Sequence, residues 1–298
     1  MSKTIIVVIV WSTIMSRFFC DNCCDLTQDQ VNELGIEVIR IPYFLEGKLV
    51  TGELGAEFDS EKFFDNMKNG ATVSTSALNP LEYTEIWEPI LANGEDILYV
   101  AFSHNMSGTF NNMNVALTEL RQKYPQRTIT VVDTQLMALG LGLVVYLAAK
   151  KHKEGATDVQ VVEYVKDICK KVRTYVTVED LKYLKRGGRV SGITAFIGGI
   201  LNIKPILKLV DGNLIKVDKV KGRKTSLKYL LNVLETENVD TNYPITLGNA
   251  HCKEDAEQFT ADIKDKYPNA EVWNQSIGPV VGCHSGPGTV ALFFLSKD

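Results

Sequence analysis

The chain reads as an α/β protein of two domains: a Rossmann-like parallel sheet over residues 1–172, then an α/β unit with a mixed, partly antiparallel sheet over residues 173–298. Two observations predict this. In the first half an apolar strand, a polar loop and a helix recur. Ile97 to Phe102 leads through Ser103–Gly108 into a helix reaching Leu120, and Thr128 to Val132 leads through Asp133-Thr134 into a long helix ending near His152. That alternation is the signature of βαβ units and a parallel sheet. After residue 172 the pattern changes. Ile206 to Val210, the turn Asp211-Gly212, and Asn213 to Val217 form a strong hairpin signal, which demands antiparallel pairing.

The remaining elements follow from local chemistry. Thr27-Gln28-Asp29-Gln30 is a capping box opening a short helix that Gly35 ends. Ile36 to Tyr43 alternates like one strand, and Glu61 to Met67 is helical up to Asn69-Gly70. Asn79-Pro80 starts another helix, with a capping asparagine and a proline in the first turn. Helices are predicted at Asp158–Val172, Lys224–Leu234 and Glu254–Tyr267, and strands at Thr174–Val178, Pro244–Ala250, Glu271–Gln275 and Val290–Leu295. Gly278 to Gly288 reads as a closing loop. The first strand is left open between Arg17–Cys20 and the dense apolar run Ile5–Val10, which is too short to span a bilayer.

Composition narrows the function classes. Of 298 residues, 45% are hydrophobic and 23% charged, with a net charge of −4, so a globular chain with ample core is expected. No basic stripe suggests nucleic acid, and no stable membrane insertion is expected. Cys20-x-x-Cys23 has the spacing of half a zinc site, but no second pair completes it and the four histidines are scattered, so no metal is expected. Six cysteines in a chain of this length suit reduced thiols in a cytoplasm better than a disulfide framework.

Candidate chemistry concentrates in a few loops. Leu184–Ser191 sets Arg186 and Arg189 around Gly187-Gly188. Glycine lets backbone approach a ligand closely and arginine offers a permanently charged fork of donors. An apolar helical pattern follows, whose N-terminus would add positive charge. The alternative is a surface loop with solvated arginines. Hydroxyls cluster at Ser74-Thr75-Ser76 and at Ser107-Gly108-Thr109, suited to donating to an anion, or simply to lining ordinary loops. His284, between the glycines of the closing segment, can donate to or pair with an oxyanion. Neither Ser107 nor His104 has an identifiable catalytic partner. Gly140-x-Gly142 lacks a third glycine and reads as helix packing rather than a dinucleotide fingerprint. Val190, Ile193, Phe196, Ile197, Ile200 and Leu201 fall at helical spacings; they form either core or the wall of an apolar channel. Burying a long acyl tail contributes roughly 0.8 kcal/mol per CH₂. Its carboxylate would cancel much of that unless paired with arginine and hydroxyls. A lipid acid needs both features, and the sequence offers both.

These segments, in this order, resemble the DegV family of bacterial fatty-acid-binding proteins from Asp21 onward. Asp21–Leu26 is similar to its Asp-Ser-x-x-Asp-Leu motif, with Asn22 for serine. Ser74–Pro80 resembles its Thr-Thr-Ser-Gln-Pro-Ser loop without the Gln-Pro-Ser part. Ser103–Phe110 resembles Ser-Ser-Gly-Leu-Ser-Gly-Thr-Tyr, departing at His104-Asn105-Met106. Val132–Thr134, Leu181–Ser191, Leu201–Leu207 and Gly278–Gly288 match the family as well. The resemblance implies a DegV-like two-domain fold with one long-chain fatty acid buried at the domain interface. Its carboxylate would be held by Thr75, Ser107, Arg189 and His284, with Ser76 and Gly108 secondary and Phe196, Ile197 and Ile200 along the chain. It also implies a carrier that is not itself an enzyme. The carrier needs no cofactor beyond the bound acid and presents that acid to the catalytic subunit of a separate ATP-dependent fatty acid kinase in the cytoplasm. The competing expectation is a hydrolase or transferase acting on a small anion through Ser107 or His284.

Overall fold

The computed structural model describes residues 15–51, 54, 58–191 and 202–298, with 190 and 191 described by backbone alone. The expected strand at Ile5–Val10 and the expected channel residues Phe196, Ile197 and Ile200 lie outside the described residues. The first described strand is β1 (Arg17–Asp21). It runs parallel to β2 (Glu37–Ile39) on one side and β6 (Ile97–Ala101) on the other, and β6 is parallel to β7 (Ile129–Asp133), giving the order β2-β1-β6-β7. The βαβ expectation from the first half therefore holds.

Helices cover both faces of this sheet. On one side α3 (Pro80–Ala92) and α4 (Thr109–Lys123) bury Tyr83, Trp87, Met113 and Leu117 against Tyr99 and Ile97. On the other lie α1 (Gln28–Leu34), α5 (Ala138–Lys153) and α6 (Asp158–Lys171). The capping boxes of α1 at Thr27/Gln30 and of α3 at Asn79/Glu82 are both formed.

A second sheet of seven strands begins with β8 (Val172–Thr177), in the order β13-β12-β14-β8-β10-β11-β9. Its members are β9 (Val190–Ser191), β10 (Ile203–Val210), β11 (Asn213–Lys221), β12 (Ile245–Asn249), β13 (Val272–Ser276) and β14 (Val290–Leu295). The β10–β11 pair is antiparallel, and Asp211 (φ 47°) and Gly212 (φ 72°) both take the left-handed conformation that a two-residue hairpin requires. Helices α8 (Arg223–Thr236) and α9 (Lys253–Lys266) cover one face. The other face meets α5, which packs on β1 and also on β8, β12 and β14. An element between two sheets must be apolar all round, and α5 is buried from Ala138 through Val145. Gly140 and Gly142 permit the approach: a Cβ on Gly140 would stand 2.7 Å from Phe293, and one on Gly142 would run into the Cys24 carbonyl. These glycines serve helix packing, as their isolation predicts.

Three local expectations need correction. Ile36–Tyr43 is not one strand. It divides into β2 and β3 (Tyr43–Leu45), because Pro42 has no N–H to donate to a ladder and the Ile41 N–H and carbonyl are both taken by the Asn22 side chain (3.0 and 3.2 Å). β3 pairs instead with β4 (Lys48–Val50) and β5 (Val73–Thr75) in a small antiparallel sheet. The closing segment is not a loop. Gly278 caps, and Pro279 begins, a helix α10 (Pro279–Ser285), which Gly286 ends at φ 76°. Finally, Val190 and Ser191, where the expected apolar helix starts, are not helical, and the rest of that pattern, Ile193 to Leu201, lies outside the described residues. A helix α7 (Leu181–Gly187) precedes the Gly-Gly turn, Gly188 (φ 67°) ends it, and Val190–Ser191 is a strand parallel to β11. The turn thus lies at the negative end of a helix, and Lys185 and Arg186 in its last turn offset that dipole.

Candidate functional site

One apolar cavity opens where the two sheets meet, and Thr75, Ser76, Ser107, Gly108, Arg189 and His284 all border it. Four separate stretches of chain bring them there. Thr75 ends β5, opposite Tyr43 of β3. Ser107 and Gly108 lie in the loop from β6 to α4, and Gly108 caps α4 without a side-chain bond, leaving a helix N-terminus at the cavity. Arg189 follows the turn that ends α7, and His284 occupies the last turn of α10.

α10 is set in place by the first motif. Asp25, at φ 55°, accepts the N–H of Gly278, the α10 cap, at 2.9 Å. Asp21 is fully buried and accepts from Cys23 N–H (3.0 Å), Tyr99 Oη (2.9 Å) and Phe102 N–H (2.9 Å). Burial pushes both carboxyls up, Asp25 to about 8, where its Oδ2 has no partner. The Asp21–Leu26 motif therefore builds the site's scaffold, and its Cys23 lines the cavity.

At that end His284 Nε2 lies 2.9 Å from Thr75 Oγ1. His284 Nδ1 is buried against Gly187, where no larger residue would fit, and has no hydrogen-bond partner. A buried N–H without an acceptor is rarer than an under-used lone pair, so we assign the proton to Nε2. His284 then donates to Thr75, and the Thr75 hydroxyl proton remains available to a ligand. Burial, then the cations of Arg189 and Arg186, lower the His284 pKa to about 4, so the ring is neutral at pH 7. Ser107 Oγ donates to Thr109 Oγ1 at 2.8 Å and accepts from Thr109 N–H at 3.3 Å. Arg189 is exposed at the mouth. Its Nε donates to the Met106 carbonyl at 3.2 Å and its Nη1 to the Gly187 carbonyl. Among the described residues nothing hydrogen-bonds its Nη2.

Away from these groups the wall is apolar. Phe102, Met137, Val176, Leu184, Leu214 and Ala291 belong to it. The cavity offers about 120 Å³ to the centres of water-sized spheres, well above the roughly 10–15 Å³ that seats one water. Sequence reasoning missed this wall, because its members come from strand ends, from the start of α5 and from α7. Two of the site's supports carry unusual backbone: Gln135 (φ 56°) in the β7–α5 connection and Ala138 (φ 50°) at the first residue of α5. Strain of that kind gathers at functional sites, but an alanine at positive φ leaves no trace in a sequence.

Cys20 Sγ neighbours Cys24 Sγ at 3.8 Å within the core, and no group of three potential ligands that could hold a metal ion exists among the described residues.

An α/β protein with a parallel and a mixed sheet, and an apolar cavity closed by hydroxyls, arginine and a neutral histidine, has the build of a binder of amphiphilic acids. The profile described as "Uncharacterised protein, DegV family" matches residues 18–297, and the chain belongs to that family. A DegV domain-containing protein of Clostridium perfringens is 38% identical over 285 residues, covering 94% of this chain and 98% of its own. Among solved structures, a DegV family protein of Thermus thermophilus, described as binding fatty acid, superposes with a TM-score of 0.83 at 25% identity, covering 95% of this chain and 99% of that one. A stearic-acid-binding protein of Eubacterium ventriosum, at 20% identity, has the same fold, with a TM-score of 0.84 over 95% and 99% of the two chains. Among the described residues no helix is long and apolar enough to cross a membrane.

Proposed function

We propose that this chain binds one long-chain fatty acid at the interface of two domains, residues 1–172 and 173–298, and presents its head group to a fatty acid kinase in the cytoplasm. The observation that carries the reading is the Thr75–His284 hydrogen bond at the polar end of an otherwise apolar cavity. Thr75, its oxygen held by His284, gives its hydroxyl proton to one carboxylate oxygen. The α4 N-terminus at Gly108 supplies a further donor, Ser107 joins it once its hydroxyl turns from Thr109 Oγ1 to the ligand, and Ser76 lies beside them. Arg189 provides the compensating charge, and charge-assisted bonds of this kind are about twice as strong as neutral ones. The acyl chain runs along Phe102, Met137, Val176 and Leu214, and Phe196, Ile197 and Ile200 extend that wall on sequence grounds. Arg189 is solvent-exposed, which suits a head group offered to a second protein for phosphorylation. Hydrolase or transferase chemistry is less well supported, since Ser107 bonds Thr109, and His284 bonds Thr75 rather than a nucleophile poised for attack. Extracting the purified protein and analysing the extract by mass spectrometry tests the reading. The expected result is one long-chain acid per chain. Recovery of no acid, together with no binding of added long-chain acids in titration, would overturn it.

A further inference from the structure

The β10–β11 hairpin reaches the cavity wall and also grips the loop and the strand that flank the cavity's polar residues. At its tip, Asn105 Nδ2 donates to the Asp211 carbonyl at 2.8 Å, and the buried Ser103 Oγ donates to the Gly212 carbonyl at 3.0 Å. The fit is close: a Cβ on Gly212 would stand 2.6 Å from Ser103 Oγ and 3.0 Å from Asn105 Nδ2. Just past the tip, Leu214 forms part of the cavity wall. Leu214 also pairs with Val190, the residue that follows Arg189.

The loop that the tip grips is the one that carries the site. Ser103 N–H donates to the Leu136 carbonyl at 3.0 Å, and Met106 N–H donates back to the Ser103 carbonyl at 3.2 Å, so the loop is a closed turn rather than a free strand of chain. From that turn the Met106 carbonyl accepts from Arg189 Nε at 3.2 Å, and the next residue is Ser107. The hairpin therefore locates Arg189 twice, through β9 on the chain's own side and through the 103–106 turn on the other. Asn105 belongs to the three residues at which the loop departs from the motif it resembles, and its amide is the only side-chain donor among those three that reaches the hairpin among the described residues.

We infer that the Asp211–Gly212 tip, held through Asn105, is a positioning element that sets the cavity's preference for a carboxylate over a neutral head group. Asn105 touches no ligand; it acts by fixing the Met106 carbonyl and Ser107 relative to Arg189. The inference rests on the acid-binding reading above and deepens it. A loop freed from the hairpin lets Arg189 and Ser107 drift apart, and charge pairing is lost with distance while apolar burial of the tail is not.

The test compares two ligands of equal chain length, palmitic acid and hexadecanol, titrated into delipidated wild-type protein, Asn105→Ala and Asn105→Leu. The leucine keeps the side chain's shape and removes its donor without adding charge. The ratio of acid to alcohol affinity should fall about tenfold in both variants, equivalent to roughly 1.4 kcal/mol, with alcohol affinity within twofold of wild type. A purely structural role for Asn105 would weaken both ligands alike and leave the ratio unchanged, and that result, in whichever variant folds, overturns the inference. A wild-type protein that itself fails to prefer the acid would instead overturn the acid-binding reading, so the two failures are distinguishable.

Discussion

Two polar clusters lie on either side of α10, and they differ in how far their hydrogen-bonding capacity is used. In the Asp21–Asp25 turn nearly every acceptor is spent on backbone or core. Asp21 takes three donors, Asn22 grips both polar groups of Ile41, and Asp25 holds the α10 cap. The head-group cluster keeps capacity in reserve. The Thr75 hydroxyl proton is free, Ser285 Oγ at the cavity wall is buried without a partner, and Arg189 Nη2 has no hydrogen bond among the described residues. Buried polar groups that satisfy one another specify a structure; those left unsatisfied at a cavity wait for a ligand. The first cluster should therefore govern stability and the second binding.

The largest effect expected from this contrast is on the pH dependence of stability. Asp25 has a folded pKa of about 8 through burial, whereas an unfolded aspartate ionises near pH 4. The native state keeps a proton that the unfolded state has released, so stability is full below about pH 4 and falls as pH rises towards 8. The limiting slope is about 1.4 kcal/mol per pH unit. Burial raises the Asp21 pKa too and adds in the same direction. Asn at position 25 still accepts the Gly278 N–H but does not titrate. Urea unfolding between pH 5 and 8 should show a falling stability for the wild type and a flatter profile for Asp25→Asn. Equal slopes would place the titrating group elsewhere.

Arg189 should behave in the opposite manner. Its side chain is exposed and its partners are carbonyls that water can satisfy, so Arg189→Ala should leave unfolding within about 0.5 kcal/mol of wild type. Binding of a long-chain acid should weaken by about 1.5–3 kcal/mol, the range for hydrogen bonds to charged groups, or roughly ten- to a hundredfold. Isothermal titration beside a melting curve measures both. A variant that loses stability and keeps its affinity would reverse the assignment of the two clusters.

Much of this division was visible in the sequence, and the part that was not has definite causes. The capping boxes and the Asp211-Gly212 hairpin signal themselves within a few residues, and the βαβ repeats within one strand–helix–strand span of about thirty. Thr75, Ser107, Arg189 and His284 stand out through residue type and through resemblance to a family. That Thr75 meets His284, 209 residues away, depends on how β5 and α10 pack, which no local pattern encodes. α10 itself reads as a loop in the sequence, because four glycines and two prolines between Gly278 and Gly288 outweigh seven residues of helix. Gly278 and Gly286 serve as its ends and Gly282 clears space for Phe64, so the composition that suggested irregularity encodes a tightly packed short helix. The strand at Val190–Ser191 was hidden in the same way: its apolar residues fit a helical spacing, and the partner that selects extended backbone, β11, lies more than twenty residues downstream.

The smallest effect expected belongs to His284, and its sign opposes that of Asp25. Its folded pKa of about 4 lies below the ordinary histidine value, through burial first and the Arg189 and Arg186 cations second. Without ligand, the unfolded state takes up a proton that the native state refuses, so this contribution to stability is present above about pH 6.5 and is lost as pH falls towards 4. A carboxylate seated beside Thr75 offsets the two arginines and raises the ring's pKa, so the complex binds protons more readily than the free protein. Linkage then requires acid affinity to increase as pH falls from 7.5 to 5.5, a window in which the ligand's own carboxylate stays largely ionised. A ring that moves up by about one unit from its folded value near 4 is still mostly neutral at pH 5.5, so the increase across this window should be small, less than about twofold. Titration in buffers of different ionisation enthalpy should register proton uptake on binding, and His284→Gln, which keeps a donor towards Thr75 but cannot titrate, should abolish both the uptake and the pH slope. Proton uptake that survives in His284→Gln would move the titrating group out of the head-group cluster and remove the electrostatic half of the contrast between the two sides of α10.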